Sequence, residues 1–342
     1  MASYDFLFDT IGLRGWCDAG SSAAPLSMAD LLAQGGKAKE ASIWDLPFPS
    51  MDVLNEACSA FPKSRELTKG LEDGFLAIKD VLKFVLDPVT QPLSWLLDGA
   101  LFAAQSVPWW IIMPLLFLLT FSVTKSLKLV GFVAASLLAL AFIDHYTYAV
   151  ETLAIIFVCA FICVALGVPI GIAMSRSDRL QKSLLPVLDM LQTLPTFVYL
   201  IPLIFLFSVT ESKLYGIAII LYAIVPVVRL TDLGIRLVDK EVLEAAQAFG
   251  MTPRQKLLQV QIPLALPNIM AGINQTIMMS LAMVVIASLV SAPGLGVLVL
   301  RGIRNLELGV GLVAGLGIVL LAVILDRVTK TAVARVNAAQ QH

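Results

Sequence analysis

Long apolar segments separated by short polar loops fill most of this chain. A membrane-spanning helix needs about 20 mostly apolar residues. Seven segments meet or approach that length: residues 108–124, 127–143, 149–174, 187–209, 213–230, 269–291 and 308–325. Composition agrees, since 58% of the residues are hydrophobic and only 14% are charged, which excludes an ordinary soluble domain. The pattern predicts an all-α integral membrane protein with about seven transmembrane helices.

Basic residues in the short loops predict the orientation of these segments. Most of them lie between segments one and two, three and four, and five and six, and after segment seven: Lys125, Lys128, Arg176, Arg179, Lys182, Arg236, Lys240, Arg254, Lys256, Arg327, Lys330 and Arg335. Alternate crossing puts all of them on one side, which the positive-inside rule assigns to the cytoplasm. Arg301 and Arg304 are the exceptions. The N-terminus is therefore expected outside, and residues 329–342 are expected to form a cytoplasmic tail.

Residues 1–107 form an N-terminal tail with eight Lys or Arg against fourteen Asp or Glu. From about Ser64 to Gln105, apolar residues recur at helical spacing with charges between them, and Pro88 and Pro92 interrupt the pattern. Such a pattern is typical of amphipathic helices lying on the outer membrane surface. Packing of the same helices against neighbouring spans explains it equally well.

The chain has four cysteines and two histidines. Cys17 and Cys58 lie in the tail and would form a disulfide if the tail faces an oxidising compartment. Cys159 and Cys163 lie four residues apart in an apolar segment and are best explained as small packing residues. Neither pair has metal-ligand spacing with a histidine, so no metal site is predicted.

The fourth apolar segment is unusual because polar groups and a proline interrupt it, at Gln192, Thr193, Pro195 and Thr196. A broken helix is tolerated inside a bilayer only against protein or a water-filled cavity. These groups are therefore candidates for lining a translocation pathway, and a kink satisfied by neighbouring helices is the alternative. The same alternatives apply to polar residues of the sixth segment, namely Asn274, Gln275, Thr276 and Ser280, because interhelical hydrogen bonding is the commoner use of such groups.

A polar loop at residues 231–268 separates the fifth and sixth segments. Residues 241–249 are good helix formers, and Gly250 follows them where a left-handed residue commonly ends a helix. Ala245 and Ala246 would let a partner surface approach closely, and Glu244 would offer it a charge. The first half of the loop thus predicts a short exposed helix.

The second half of the loop predicts another helix start. Thr252 and Gln255 have the spacing of a capping box, and Pro253 takes the first helical position. Pro263 and Pro267 are expected to break or kink the following helix and to turn the chain back into the membrane.

The order Glu244-Ala245-Ala246, three residues, Gly250, nine residues, Val260, one residue, Ile262-Pro263 resembles the EAA loop of ABC importer permeases. The resemblance implies that this loop is a cytoplasmic handle gripped by a separate ATPase. The residues it assigns to ATPase coupling are Glu244, Ala245, Ala246, Gly250 and Pro263.

Residues 149–328 further resemble permease subunits of the glycine betaine/proline importers, on the stretches 188–202, 253–255, 271–276, 283–288 and 300–303. The resemblance implies a type I ABC importer permease fold with a five-helix core at 149–328 and two peripheral helices at 108–148. It also implies a homodimeric pore, two copies of an ATP-binding subunit, and a periplasmic binding protein. The outer turn at Pro293, Gly294 and Gly296 would face that binding protein.

The same resemblance implies the location and the solute. The chain would lie in a bacterial inner membrane among lipids, with its N-terminal tail in the periplasm. It would import a methylated or quaternary ammonium solute such as glycine betaine, proline betaine, trimethylamine N-oxide, choline or carnitine. No nucleic acid partner is indicated.

Two alternatives compete with that interpretation: an ABC permease for an unrelated solute such as an amino acid, and an ATP-independent secondary transporter. The loop from Glu244 to Pro263 argues against the second, and so does the expected lack of buried charges, which a proton-coupled transporter would use as a relay. The chain has no G-x-x-x-x-G-K-[ST] motif, so ATP and Mg are expected on the partner ATPase. We therefore expect no enzyme activity and no cofactor on this chain, and no aromatic cage for a quaternary ammonium group is legible in the sequence.

Overall fold

The computed structural model describes residues 48–340, together with Tyr4, Phe8, Ile11, Gly12 and Cys17. Every regular element among these residues is a helix, as the apolar pattern predicts. The α-helices are α1 (Met51–Ala57), α2 (Ser64–Ser106), α3 (Trp109–Thr124), α4 (Leu127–Phe142), α5 (Tyr146–Ser175), α6 (Asp178–Thr193), α7 (Leu200–Leu206), α8 (Ser212–Arg236), α9 (Lys240–Ala248), α10 (Pro253–Lys256), α11 (Ile262–Ala287), α12 (Leu295–Arg304) and α13 (Leu308–Gln340). Shorter 3-10 segments lie at Thr196–Tyr199 and Ser288–Val290, and a π-helical segment lies at Leu257–Gln261.

Four helical stretches of the described residues are long and apolar enough to cross a membrane: Tyr146–Ser175, Ser212–Arg236, Pro253–Val290 and Leu308–Arg335. The number rises to six if each of two sharply bent helix pairs forms one span. Helix α4 is apolar but shorter, with 16 residues. The all-α membrane fold is thus confirmed, whereas the predicted seven separate spans do not all correspond to single straight helices.

The apolar segment predicted at 187–209 is broken, as its internal polar residues and proline indicate. Helix α6 ends at Thr193, and its axis makes an angle of 105° with the helical stretch Thr196–Leu206. Leu194 and Pro195 between them are extended, with ψ angles of 135° and 131°. The cause is local, because Pro195 has no amide hydrogen to donate and disfavours the helical conformation at Leu194.

Helix α8 packs between α5 and α11 through glycines that allow close approach. A Cβ at Gly171 of α5 would lie 2.7 Å from the carbonyl oxygen of Val228. A Cβ at Gly272 of α11 would lie 3.0 Å from the Cα of Val227. Small residues at helix contacts are the usual means of close packing in membranes. The buried core around this contact includes Ile155, Ile156, Leu214, Ile219, Met283 and Leu321.

The prolines of the tail do not interrupt its helix, contrary to the sequence-based prediction. Pro88 and Pro92 both lie inside the 43-residue helix α2. They are four residues apart, so their missing amide hydrogens fall on one side of the helix. After them, Leu93 and Leu97 are buried, and the Ser94 hydroxyl lies 3.0 Å from the Ser212 hydroxyl of α8. This part of α2 therefore packs against a span, which was the alternative to lying on the membrane surface.

The last helix also differs from its predicted bounds. Helix α13 continues from the predicted span at 308–325 through residues 329–340 without a break. Arg335 on this extension donates to the carbonyl oxygen of Val123 at 2.9 Å. The predicted cytoplasmic tail thus begins as a helical extension of the seventh apolar segment.

The chain divides into two compact units, Met1–Leu82 and Lys83–His342. In the first unit, Cys17 and Cys58 form a disulfide. The Ser64 hydroxyl and amide donate to the Asp52 carboxylate at 2.6 Å and 2.9 Å and lower the pKa of that carboxyl. Most of residues 1–47, which the sequence analysis assigns to the periplasmic tail, lie outside the described residues.

Candidate functional site

The loop that the sequence singles out forms a small exposed unit, which we call the handle and define as residues 239–256. The Asp239 carboxylate caps α9 by accepting from the Glu241 amide at 2.9 Å. Glu244 and Ala245 are exposed on α9, whereas Ala246 is buried within this chain. The prediction that both alanines present a small face to a partner is therefore wrong for Ala246, because residues of its own chain cover that position.

Gly250 ends α9 in the left-handed conformation that the sequence predicts, with a φ of 79°. The Gly250 amide donates to the Gln247 carbonyl at 2.9 Å, and the Met251 amide donates to the Ala246 carbonyl at 3.2 Å. These two bonds form a Schellman motif, which satisfies carbonyls that a helix end leaves unpaired. Nothing lies within 4 Å of a Cβ built at Gly250. Backbone conformation, and not space, therefore requires glycine here.

The predicted capping box at Thr252 is also confirmed. The Thr252 hydroxyl accepts from the Gln255 amide at 3.4 Å, and the Gln255 side chain accepts from the Thr252 amide at 2.9 Å. Pro253 takes the first turn of α10. The start of α9 and the turn between α9 and α10 are thus fixed by hydrogen bonds between residues at most five positions apart, so the shape of the handle depends little on distant packing.

Pro263 and Pro267 do not break the helix that follows the handle, so the predicted break is wrong, whereas the predicted alternative of a kink stays a prediction. Both lie inside α11, and Pro263 is in its first turn, where a missing amide hydrogen costs little. The π-helical segment Leu257–Gln261 comes immediately before it, and the Ile262 amide donates to the Leu257 carbonyl. This wider turn shifts the hydrogen-bond register ahead of Pro263. The handle therefore leads into the membrane through continuous helix.

The candidate pathway residues of the fourth segment lie at the break between α6 and the following 3-10 turn. The Gln192 amide nitrogen approaches the Met279 sulfur of α11 at 4.0 Å. The Thr193 hydroxyl donates to the Met190 carbonyl at 3.3 Å, Pro195 is exposed, and Thr196 is half-buried. The structure thus brings this break against α11 at Met279.

The polar residues of α11 do not act as one group. The Thr329 hydroxyl of α13 donates to the Asn274 side-chain oxygen, and Gln275 is exposed. The hydroxyls of Thr276 and Ser280 are buried and have no hydrogen-bond partner among the described residues. Asn274 therefore makes the interhelical bond that the sequence analysis gives as the alternative. Ser280, one residue after Met279, lies nearest in sequence to the Gln192 contact.

The outer turn with Pro293, Gly294 and Gly296 is folded into the bundle. Gly294 and Gly296 are buried, and Pro293 is half-buried. A Cβ at Gly294 would lie 2.4 Å from the Thr152 hydroxyl oxygen, which itself accepts from the Leu295 amide at 2.9 Å. Close packing explains both glycines. Contact with a binding protein stays a prediction, and Pro293 is the residue of this turn that fits it best.

Among the residues that the structure describes, three charged side chains are buried, although the sequence analysis expects no buried charges. Glu151 accepts from Gln105 at 2.8 Å, and Lys213 lies 2.7 Å from a carboxylate oxygen of Asp87 and from one of Glu211. The third, Asp232, also has partners. The expectation was wrong because each charge has a polar partner that lies outside the apolar segments. All three lie near helix ends, so they do not form a relay along a span.

Sequence reasoning missed two further features of this region. Phe249 on the handle is 86% exposed, and it could have been noticed as an aromatic residue in an otherwise polar loop. The hydrogen bonds of Arg236, the last residue of α8, gave no sequence signal because its partners lie up to 62 residues away.

Comparison with known proteins agrees with this geometry. Residues 164–338 match the family described as binding-protein-dependent transport system inner membrane component. The glycine betaine/proline betaine transport system permease protein ProW of Escherichia coli is 47% identical over 57% of this chain and 55% of its own length. The glycine betaine/carnitine transport permease protein GbuB of Listeria monocytogenes is 41% identical over 71% of this chain and 86% of its own length.

A solved structure supports the fold. A chain of the MetNI methionine ABC transporter, in an inward facing conformation, superposes with a TM-score of 0.50 over 55% of this chain and 94% of that chain, at 20% identity. This likeness concerns the fold alone. The present chain matches only about half of the length of the Escherichia coli relative, 55%.

Proposed function

Since the chain belongs to the family of binding-protein-dependent transport system inner membrane components, we propose that it is the permease subunit of an ATP-binding cassette importer. In this proposal α5, α8, α11 and α13 supply the spans around the translocation pathway. The handle couples them to a separate ATP-binding subunit, which would hold ATP and Mg. The chain itself carries no catalytic residue.

The handle is the observation that carries this proposal. It combines an exposed acidic residue, Glu244, with the exposed Ala245 and Phe249 on one short helix. An aromatic side chain that is 86% exposed at the tip of a polar loop suits burial in a partner's pocket. The loop lies inside the matched residues 164–338 and connects two spans directly. A partner that grips it can therefore move α8 and α11.

The names of the relatives support the solute class. The name of the Escherichia coli relative includes glycine betaine and proline betaine, and the name of the Listeria monocytogenes relative includes glycine betaine and carnitine. These solutes share a fully substituted, positively charged nitrogen that cannot donate a hydrogen bond. Neutral hydroxyl and amide oxygens, such as those of Gln192 and Thr196, suit the passage of such a cation better than a fixed carboxylate that would hold it. We therefore propose import of a methylated or quaternary ammonium solute.

The proposed assembly has two copies of this chain, two ATP-binding subunits and one periplasmic binding protein. The handle faces the cytoplasm, and so does the C-terminal end of α13, whereas the N-terminal tail faces the periplasm of the inner membrane. The disulfide between Cys17 and Cys58 supports this orientation, because disulfides persist in oxidising compartments. A cysteine introduced at Gln255 should then react with an impermeant thiol reagent only from the cytoplasmic side.

Reconstitution tests the function. The chain is placed in proteoliposomes with its ATP-binding subunit, its binding protein and radiolabelled glycine betaine. We expect uptake that requires ATP and the binding protein. Uptake of the same size without ATP would instead identify a secondary transporter. ATP-dependent uptake of an amino acid but not of any methylated ammonium solute would retain the importer and reject the proposed solute.

A further inference from the structure

Arg236 holds three helices together beside the handle. Its Nη1 donates to Asp178 at 2.7 Å, its Nε to Asp232 at 2.9 Å, and its Nη2 to the carbonyl oxygen of Met174 at 2.8 Å. Asp178 begins α6, and Met174 lies in the last turn of α5. Gln181 of α6 donates to the other oxygen of Asp232 at 2.6 Å. We refer to Arg236, Asp232, Asp178 and Gln181 as the clasp.

The chemistry of the clasp makes it more than a surface ion pair. The side chain of Asp232 is only 6% exposed, and it accepts from both Arg236 and Gln181. Removing a donor from a buried carboxylate leaves a charge that water cannot fully solvate. The guanidinium group presents its donors in a fixed planar fork, and here it uses three of them in three directions. A lysine at this position would keep the charge but could not reproduce the three bonds.

The clasp lies directly next to the handle. Leu237 and Val238 alone separate Arg236 from Asp239, the residue that caps α9. Val238 is buried, so this connection does not swing freely in solvent. If a partner moves α9, the displacement is therefore passed along the chain to Arg236 before it is passed to most of α8.

Helix α6 connects the clasp to the break in the fourth apolar segment. It has 16 residues from Asp178 to Thr193, which corresponds to about 24 Å of helix. A second ion pair, between Arg229 and Asp189, ties its far end to α8. Between the two ties, Leu188 packs with buried residues of α8 in an apolar cluster. A helix held in this way at both ends and along its length moves as one body.

We propose that Arg236 is a positioning residue, which transmits movement of the handle through α6 to the break at Leu194 and Pro195. This inference rests on the proposed function and adds the route by which the coupling loop acts on the pathway. In the intact clasp, a shift of α9 carries α6 with it and moves Gln192 relative to Met279 of α11. With the clasp broken, α9 moves without α6, and ATP is hydrolysed without solute transport.

The first test measures solute uptake per ATP hydrolysed in the reconstituted complex. For Arg236→Gln we expect this ratio to fall about tenfold or more, because bonds to charged groups contribute enough free energy for that change. The amount of assembled complex and the ATP hydrolysis without solute should stay near wild type. Arg236→Lys should give an intermediate ratio, since it restores the charge without the fork.

Lys330 supplies the matched control. It forms an exposed ion pair with Asp326 at 2.8 Å, four residues away on α13. Lys330→Gln removes one basic group near the same end of the bundle, and we expect the ratio to stay within about twofold of wild type, as for most exposed pairs. An Arg236→Gln complex with the wild-type ratio would overturn the inference. A similar fall for Lys330→Gln would also overturn it, because loss of positive charge would then be the cause.

A second variant covers the case in which Arg236→Gln does not assemble. The Asp178 side chain is 76% exposed, so Asp178→Asn removes one bond of the clasp with little risk to folding. We expect a smaller but measurable fall in the same ratio. Spin labels at the exposed Lys182 of α6 and Gln247 of α9 then report position. Their distance distribution should be narrow in the parent complex and broader with Asp178→Asn, whereas an unchanged distribution would contradict the route through α6.

The outcomes distinguish this inference from the proposed function. If the wild-type complex shows no ATP-dependent uptake of any tested solute, the proposed function fails and the ratio has no meaning. If wild type transports and both clasp variants keep its uptake per ATP, the function stands and the clasp is only structural.

Discussion

The handle and the break at Leu194 and Pro195 interrupt the helical bundle in different ways. The handle leaves the bundle, exposes Glu244, Ala245 and Phe249, and fixes the turn between α9 and α10 with a Schellman motif and a capping box. The break stays against α11 at Met279, and no side-chain cap satisfies the start of the turn that follows it. The handle is therefore held in shape by its own hydrogen bonds, whereas the break depends on contacts with neighbouring helices.

This difference suits two separate tasks. A self-contained loop keeps its shape when a partner binds or releases it, so it can serve as a fixed point of attachment. A break without such local motifs can change its contacts with neighbouring helices, which suits a region that opens and closes a pathway. Helix α6 and the clasp connect the two regions.

The largest effect is expected from changing the end of the handle. Gly250→Val places a β-branched residue at a φ of 79°, which costs about 1–2 kcal/mol and misdirects α9. We expect both uptake and solute-stimulated ATP hydrolysis to be lost, each falling by at least about tenfold, with normal insertion into the membrane. Gly250→Asn is the control, because asparagine tolerates the left-handed region and should retain most activity. Normal uptake by the valine variant would contradict the role of the handle.

A bulky residue at the break tests the other region. Thr196→Trp should block uptake if the pathway passes here, while the binding protein keeps its affinity for solute and the complex still assembles. Thr210→Trp, at an exposed loop position, serves as the control for adding a tryptophan to the same stretch of chain. Transport assays on both variants, with complex yield measured by size exclusion, check the expectation. Normal transport by Thr196→Trp would show that the break is a structural kink.

A smaller effect is expected where the helices only pack. A Cβ at Gly302 of α12 would lie 2.5 Å from the Cα of Gly311 on α13, whereas nothing lies within 4 Å of a Cβ at Gly315. Gly302→Ala should therefore cost about 1–3 kcal/mol by overpacking, and it should lower the thermal midpoint and the yield of complex. Gly315→Ala should leave both near wild type. Equal midpoints for the two variants would contradict this packing.

The smallest effect is expected at the bond between Thr329 and Asn274. Interhelical hydrogen bonds in membranes contribute about 0.6 kcal/mol on average, so Thr329→Val should shift the thermal midpoint only slightly. Uptake should be unchanged, because this bond assigns Asn274 to packing. A strong loss of uptake with an unchanged midpoint would return Asn274 to the pathway.

The sequence predicts the handle better than the break for a physical reason. The ends of α9 and α10 depend on hydrogen bonds between residues at most five positions apart, so Gly250, Thr252 and Gln255 were identified with their conformations. Pro195 marked the position of the break, but nothing in the local pattern gives the 105° angle between its two sides. Likewise, the burial of Ala246 and the bonds of Arg236 follow from tertiary contacts, which no local pattern encodes.

The central claim, that a partner ATPase grips the handle, is tested most directly at two neighbouring alanines. Single cysteines at Ala245 and Ala246 are treated with a thiol reagent from the cytoplasmic side, with and without the ATP-binding subunit. Because Ala245 is exposed and Ala246 is buried, the account predicts fast labelling at 245 that the subunit prevents, and slow labelling at 246 in both cases. Labelling at 245 that is unaffected by the bound subunit would contradict it.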